Sequence, residues 1–351
     1  MSLHPALPEG TADASRAPGT TDVSPARFSW RLTGRLWLLL FAIFLPSFLH
    51  SQAAGAPPEA TPLTKIRLLT DWYPDPERGG YYCAQLKGYY RAAGLDVEII
   101  PGGPNNAPIQ RLLTGRAEFL LSTSGDTMIQ AAKGLPLVAV AATMQHDPQA
   151  ILVHESSPVR RFEDLEGRTV TATPGAVWLQ YVRSRYHLKN VRESPTTQSI
   201  ASFVYHTNDI LQCFVTSEPY FAQEAGIKTR TLPIEDDQFS PYRVLVTSRS
   251  FLEQHPQAVQ DFVAATLRGW KEYLAHPEDV NPTLLRLNPE LNPAKMDYSW
   301  RALNKGHFVL GDPAKGEVHG AFDERRLKSE ADVLKELGLL RRDFDFHAAF
   351  R

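Results

Sequence analysis

From residue 64 onward, strand-like and helix-like stretches alternate over short loops, and this rhythm constrains the fold more than any other feature of the chain. Lys65 to Asp71 reads as a strand, Gly80 to Ala93 as a helix ended by Gly94, and Leu95 to Ile100 as an alternating strand. Residues 107–114 read as a helix closed by Gly115, 117–122 as a short strand, and 127–133 as a helix closed by Gly134. The apolar runs 137–144 and 149–154 read as strands. A βαβα order with short connections implies a mostly parallel sheet between helices. The rhythm restarts after Pro158, with strands at 168–172, 211–215 and 242–248 and helices at 177–186 and around 200–206. Beyond that the chain is helical, at 250–254, 257–275 and 324–339. No internal repeat is convincing. The expectation is an α/β protein of two lobes joined by more than one crossing, with a cleft between them.

The N-terminus has a different character. Residues 1–26 are polar, lack an apolar period and are expected to be a disordered leader. Arg27, Arg31 and Arg35 then precede the apolar run Leu36 to Leu49, followed by small residues. Fourteen residues span about 21 Å as a helix, short of a bilayer core of about 30 Å. The 27–56 region is therefore expected to be a secretory signal peptide, with an uncleaved membrane anchor as the alternative. Expected cleavage sites are Ser51-Gln52-Ala53 and Ala54-Gly55-Ala56. Export would make the compartment periplasmic or otherwise extracytoplasmic. A formal net charge of −2 argues against a nucleic-acid partner. Two cysteines cannot build a disulfide scaffold or a Cys-rich zinc site.

Open α/β sheets bind ligands outside the carboxyl ends of their strands, which directs attention to the loops after Leu69, Leu121, Ala142, Ala172, Val215 and Val246. The first holds Asp71, Trp72, Tyr73, Arg78, Gly79, Gly80 and Tyr82. Aromatic rings grip a planar ligand with few rotors to freeze, and paired glycines would let it approach the following helix. Core anchoring by Trp72 or Tyr82 is the alternative. The second holds Ser124, Gly125 and Asp126, which could hold a polar atom at a helix start or simply cap that helix. Gly175 and Trp178 follow Ala172, and Glu218 follows Val215. A carboxylate at Glu218 would select a donor-rich ligand, unless it is a surface residue beside a proline turn. Tyr242 completes the candidate ligand-binding set.

Catalytic signatures are missing: no G-x-S-x-G, P-loop, G-x-G-x-x-G or H-E-x-x-H occurs, and the 11 histidines are scattered. No catalytic residue, cofactor or metal site is expected. Gly102-Gly103-Pro104-Asn105-Asn106 reads as a turn rather than an anion loop.

The segments DWYPDPERGGYYCAQLKGYYRAAGLDVEIIPGG, RLLTGRAEFLLSTSGDTMIQAAKGLPLVAVAATMQHDP, FEDLEGRTVTATPGA and FVTSEPYFAQEAGI resemble the periplasmic solute-binding proteins of ABC importers with the thiamine-pyrimidine-synthase-like fold. The resemblance spans about residue 65 to 285, and sulfonate binders are more distant relatives. It implies a type II periplasmic-binding-protein fold: lobe one from 60–150 and 243–351, lobe two from 151–242, with hinge crossings near 145–155 and 238–244. It implies that Trp72 stacks on a ring and that Glu218 binds its amino group. Asp75 and Arg78 stand where family members commonly carry Asn and His, so Arg78 could meet an anionic substituent bidentately. The Cys-rich iron motif of the family's fungal enzymes has no match. The fold would also put Cys83 and Cys213 in different lobes, where both are expected to stay reduced and largely buried.

The expected function is that of a monomeric, non-enzymatic substrate-binding protein. It would capture a small planar heterocycle, first a thiamine-precursor aminopyrimidine, and deliver it to an ABC permease with its ATPase. A sulfonate, a flavin or a purine-like base are alternative ligands. A thiamine-pyrimidine biosynthetic enzyme and a periplasmic sensory domain are alternatives of other classes. Contact with a membrane is expected only through the permease or an uncleaved signal segment.

Overall fold

The structure, a computed structural model, describes residues 62–103, 106–196 and 199–351. The expected leader at 1–26 and signal region at 27–56 lie outside the described residues. So does the middle of the turn at Pro104 and Asn105.

Among the described residues, ten strands form two five-stranded sheets. The first contains β1 (Thr64–Leu69), β2 (Leu95–Ile100), β3 (Phe119–Thr123), β4 (Leu137–Met144) and, after a long excursion, β10 (Arg243–Ser248), in the order β2-β1-β3-β10-β4. The second contains β5 (Gln149–His154), β6 (Thr169–Ala172), β7 (Arg192–Pro195), β8 (Ile210–Phe214) and β9 (Thr229–Pro233), in the order β7-β6-β8-β5-β9. The two orders are the same plan carried out twice, although the sequences share no convincing repeat.

In each sheet one strand opposes the rest. β10 runs antiparallel to β3 and β4, and β5 antiparallel to β8 and β9. Both are the first strand after the chain passes from one sheet to the other, through residues 145–148 and 234–242. The other strands of a sheet end on the cleft side, so a chain arriving across the cleft enters there and must run the opposite way. Register bears this out: Arg243 at the start of β10 pairs with Thr123 and Met144, the ends of β3 and β4. Gln149 at the start of β5 pairs with Phe214 at the end of β8. The loop after Val246 therefore lies away from the cleft, and the residues just before β10 lie in it.

Two cores sandwich the first sheet. Leu245 joins one cluster and its neighbours Val244 and Val246 the other, the alternation expected of a strand buried on both faces. The expected helix from Gly80 to Ala93 is broken in two, at Gly79–Leu86 and Tyr89–Ala92, because Gly88 takes φ 70°. Gly80 serves packing rather than ligand approach: a Cβ there would lie 2.2 Å from the Trp270 ring, and one on Gly269 would lie 2.3 Å from the Gly80 carbonyl oxygen. The two glycines let the helix Pro256–Ala275 press against Gly79–Leu86, burying Trp270 and Tyr273 completely.

Cys83 and Cys213 are both free and buried, one on helix Gly79–Leu86 and the other on β8 of the second sheet. Burial pushes the Cys83 thiol up to about 11. Among the described residues, no helix is long and apolar enough to cross a membrane.

Candidate binding site

A cavity of about 280 Å³ opens where the carboxyl ends of the two sheets face each other. Lobe one contributes Thr123, Gly125 and Asp126 from the end of β3 and the start of helix Ser124–Ala132, and Glu330 from helix Glu324–Glu336. Lobe two contributes Thr173 to Trp178 after β6, and Gln212 from β8. The crossings supply Asp147, Ile234, Glu235, Phe239 and Pro241. The cavity thus joins two apolar rings, Trp178 and Phe239, with four carboxylates. Among the described residues that line it there is no Lys or Arg.

Its polar groups are held in fixed positions. The Gln212 side-chain oxygen accepts from Trp178 Nε1 at 3.1 Å and from the Thr173 N–H at 3.0 Å, which pins the indole and the loop together and sets the amide orientation. Asp147 accepts from the Gln149 N–H at 3.1 Å and lies 3.7 Å from Arg243. Burial pushes its carboxyl up to about 6, against the pull of Arg243. Burial likewise raises Glu330 to about 7, with Ser124 and Arg326 opposing.

Of the candidate residues, Gly125, Asp126, Gly175 and Trp178 line this cavity. Ser124 sits behind it, fully buried, with its hydroxyl donating to Glu330 at 2.6 Å and accepting from the Tyr242 N–H at 2.9 Å. Tyr242 is a core residue: its hydroxyl accepts from the Asp323 N–H, and the Arg326 guanidinium lies 3.8 Å over its ring. Tyr82 is buried in the first lobe's core. Trp72 is half-buried at the carboxyl end of β1, edge-on to the exposed Tyr73 with ring centroids 5.4 Å apart.

Arg78 is not presented to a ligand. Its guanidinium lies 2.8 Å from Asp71, 3.1 Å from Asp75 and 3.2 Å from Glu77, and the side chain is only 5% exposed. Asp71 also meets Arg243 at 2.6 Å; burial opposes its charge, but the two arginines hold its pKa below the usual carboxylate value. The Glu218 carboxylate folds back to accept the Phe214 N–H at 2.7 Å, closing the turn between β8 and the helix Glu218–Glu224. Neither Arg78 nor Glu218 lines the cavity.

A second band of contacts joins the lobes beside these residues. Glu77 of lobe one accepts from the Thr216 hydroxyl of lobe two. The Thr216 carbonyl in turn accepts from Lys295 Nζ at 3.0 Å and from the Ser299 hydroxyl at 2.7 Å, both on helix Pro293–Lys305.

The lining residues missed from the sequence include Asp147, Gln149, Gln212, Ile234, Glu235, Phe239, Pro241 and Glu330. Only Glu330 left a readable signal. Leu327, Glu330, Ala331 and Leu334 share one helical face and are all buried, so an acid stands inside an apolar stripe.

Known proteins bear on this geometry. A family described as NMT1/THI5 like matches residues 75–280. The riboflavin-binding protein RibY of Chloroflexus aurantiacus is 27% identical over 315 residues, covering 85% of this chain and 88% of that protein. The formylaminopyrimidine-binding protein of Halalkalibacterium halodurans is 23% identical over 270 residues, covering 73% and 79%. Among solved structures, the alkanesulfonate-binding protein SsuA of Xanthomonas axonopodis bound to MOPS superposes with a TM-score of 0.61 at 15% identity, covering 83% of this chain and 99% of that one. The fold is that of the periplasmic binding proteins.

Proposed function

This chain belongs to the NMT1/THI5-like family, and from that premise we propose that it is the extracytoplasmic substrate-binding protein of an ABC importer. It captures a small planar heterocycle bearing N–H groups, first a thiamine-precursor aminopyrimidine, and hands it to a permease. The observation that carries this reading is the cavity lining. Two aromatic side chains suit a flat ring, while Asp126, Asp147, Glu235 and Glu330 suit its N–H edge.

The same lining argues against a sulfonate. An anion placed there would meet carboxylates with no lining cation to offset them, and like charges in a partly dry site repel strongly. Arg78, the residue that could have served an anion, is already shared by three carboxylates. The similarity to SsuA therefore extends to the fold and not to the ligand chemistry. Riboflavin is the second ligand to test, because the RibY match covers most of both chains and an isoalloxazine also presents a flat ring with an N–H. We propose binding without turnover: ligand shifts an open–closed equilibrium by its differential affinity for the two states.

A thermal-shift and calorimetry panel of aminopyrimidines, riboflavin, purines and sulfonates tests this. A true ligand at about 100 times its Kd adds roughly 2.7 kcal/mol of stability. Stabilisation by a sulfonate and by no N–H-bearing heterocycle would overturn the reading.

A further inference from the structure

Glu330 combines properties that no other described carboxylate shares. It lines the cavity, it is 1% exposed, and its Oε1 is buried without a hydrogen-bond partner. Its other oxygen is committed: Oε2 accepts from Ser124, whose own oxygen is held by the Tyr242 N–H. The carboxyl is thus held by Ser124 of helix Ser124–Ala132, itself pinned by Tyr242 just before β10, and only Oε1 is left to bond. Its helix is anchored by Leu327, Ala331 and Leu334, so the position is rigid.

Gly125 makes room for that oxygen. A Cβ on Gly125 would lie 2.8 Å from Oε1, so any side chain there would crowd it or force it aside. Gly125 also lines the cavity. A half-satisfied buried carboxyl is a standing cost to the fold, and a native protein that keeps one calls for an explanation.

We propose that Glu330 is a specificity-determining residue whose Oε1 accepts a hydrogen bond from an amino or ring N–H of the ligand in the cavity. The proposal rests on the reading of this cavity as the site for an N–H-bearing heterocycle and adds a residue outside the family-matched stretch of 75–280. It also accounts for the glycine at 125, which leaves room for the carboxylate oxygen beside the cavity. Asp126 stands beside it on the same helix start and strengthens the local preference for a donor over an acceptor.

The test is calorimetric titration of wild type and Glu330→Gln with 4-amino-5-hydroxymethyl-2-methylpyrimidine, with riboflavin, with the 4-methoxy and N3-methyl counterparts that lack the donor, and with MOPS. In Glu330→Gln the amide oxygen keeps the Ser124 bond and the amide nitrogen takes the place of Oε1, so donor would face donor. The expected result is about 10- to 100-fold weaker binding of the N–H-bearing ligand, with little change for its blocked counterpart and an unchanged circular-dichroism spectrum. Equal affinity in wild type and variant would overturn the role of Glu330 and leave the functional reading standing. Equal losses for the donor and the blocked ligand would also overturn it, since they would mark a structural role. Binding of MOPS alone, or of nothing in the panel, by wild type would overturn both.

Discussion

Arg78 is a buried cation with three carboxylates within 3.2 Å of its guanidinium. Beside a glycine pair at a strand end it reads as an anion receptor; in the fold it is the counter-ion of Asp71, Asp75 and Glu77. Burial raises Asp75 to about 6 even with Arg78 alongside, so this carboxyl depends on the arginine for what ionisation it keeps. Arg78→Met is therefore expected to cost on the order of 3–5 kcal/mol, because it strands buried carboxylates rather than deleting a surface pair. Urea denaturation measures this, and a loss below about 1 kcal/mol would show that the network relaxes around the change. Trp178, Gly125 and Asp126 could be placed from sequence because each follows a strand end. Glu330 could not, since its bond to Ser124 spans 206 residues and only the tertiary fold brings the two together.

At the scale of elements, the strands with clear apolar runs were legible and the half-exposed ones were not. β9, Thr229–Pro233, was missed because it is an edge strand whose residues are half-buried or exposed, which erases the alternation. The expected strands β2, β4 and β5 agree in bounds with the structure, since apolar residues dominate them. The helix Pro293–Lys305 was also missed, yet it carries the contact between lobes. Lys295 is 4% exposed, and burial lowers its pKa against the pull of Asp75, Glu77 and Glu218. Its ammonium donates to the Thr216 carbonyl, on a turn of the other lobe, and to Ser299 on its own helix. If that clamp forms only when the lobes are together, Lys295→Met favours the open state. A buried hydrogen bond to a charged group is worth about 1.5–3 kcal/mol, so ligand affinity should fall roughly 10- to 100-fold with the binding cavity itself untouched. Small-angle scattering should show a larger unliganded radius of gyration in the variant. An unchanged radius and affinity would show that the contact is indifferent to lobe position.

The whole molecule turns on the two crossings, and one histidine touches both. His146 lies in the first crossing, its Nδ1 2.6 Å from Glu235 in the second and its Nε2 2.8 Å from Glu317 in the C-terminal segment. Both ring nitrogens face carboxylates, so the arrangement suits imidazolium. Burial alone would lower the pKa of His146, and the nearby Arg326 does so too. The hydrogen bonds and charges of Glu235 and Glu317 outweigh them, and the net shift is upward from 6.5. Glu235 also accepts from the Ser240 hydroxyl, and Glu317 from the Asp312 N–H at 2.6 Å, so neither carboxylate is free to turn away. A raised folded-state pKa means that the folded protein binds the proton more tightly than the unfolded chain. The stability it contributes is fully present below about pH 6.5 and is lost as pH rises through the raised value. Asp147 and Glu330 have folded-state values near 6 and 7 and give a slope of the same sign, so wild type alone cannot isolate the histidine. The difference between wild type and His146→Gln can, because those groups remain in both. That gap in Tm should be widest near pH 5.5 and should close toward pH 9, as the imidazole loses its proton. A gap that stays constant across this range would mean that His146 joins the crossings as a neutral hydrogen-bonding ring and that its charge plays no part in holding the hinge.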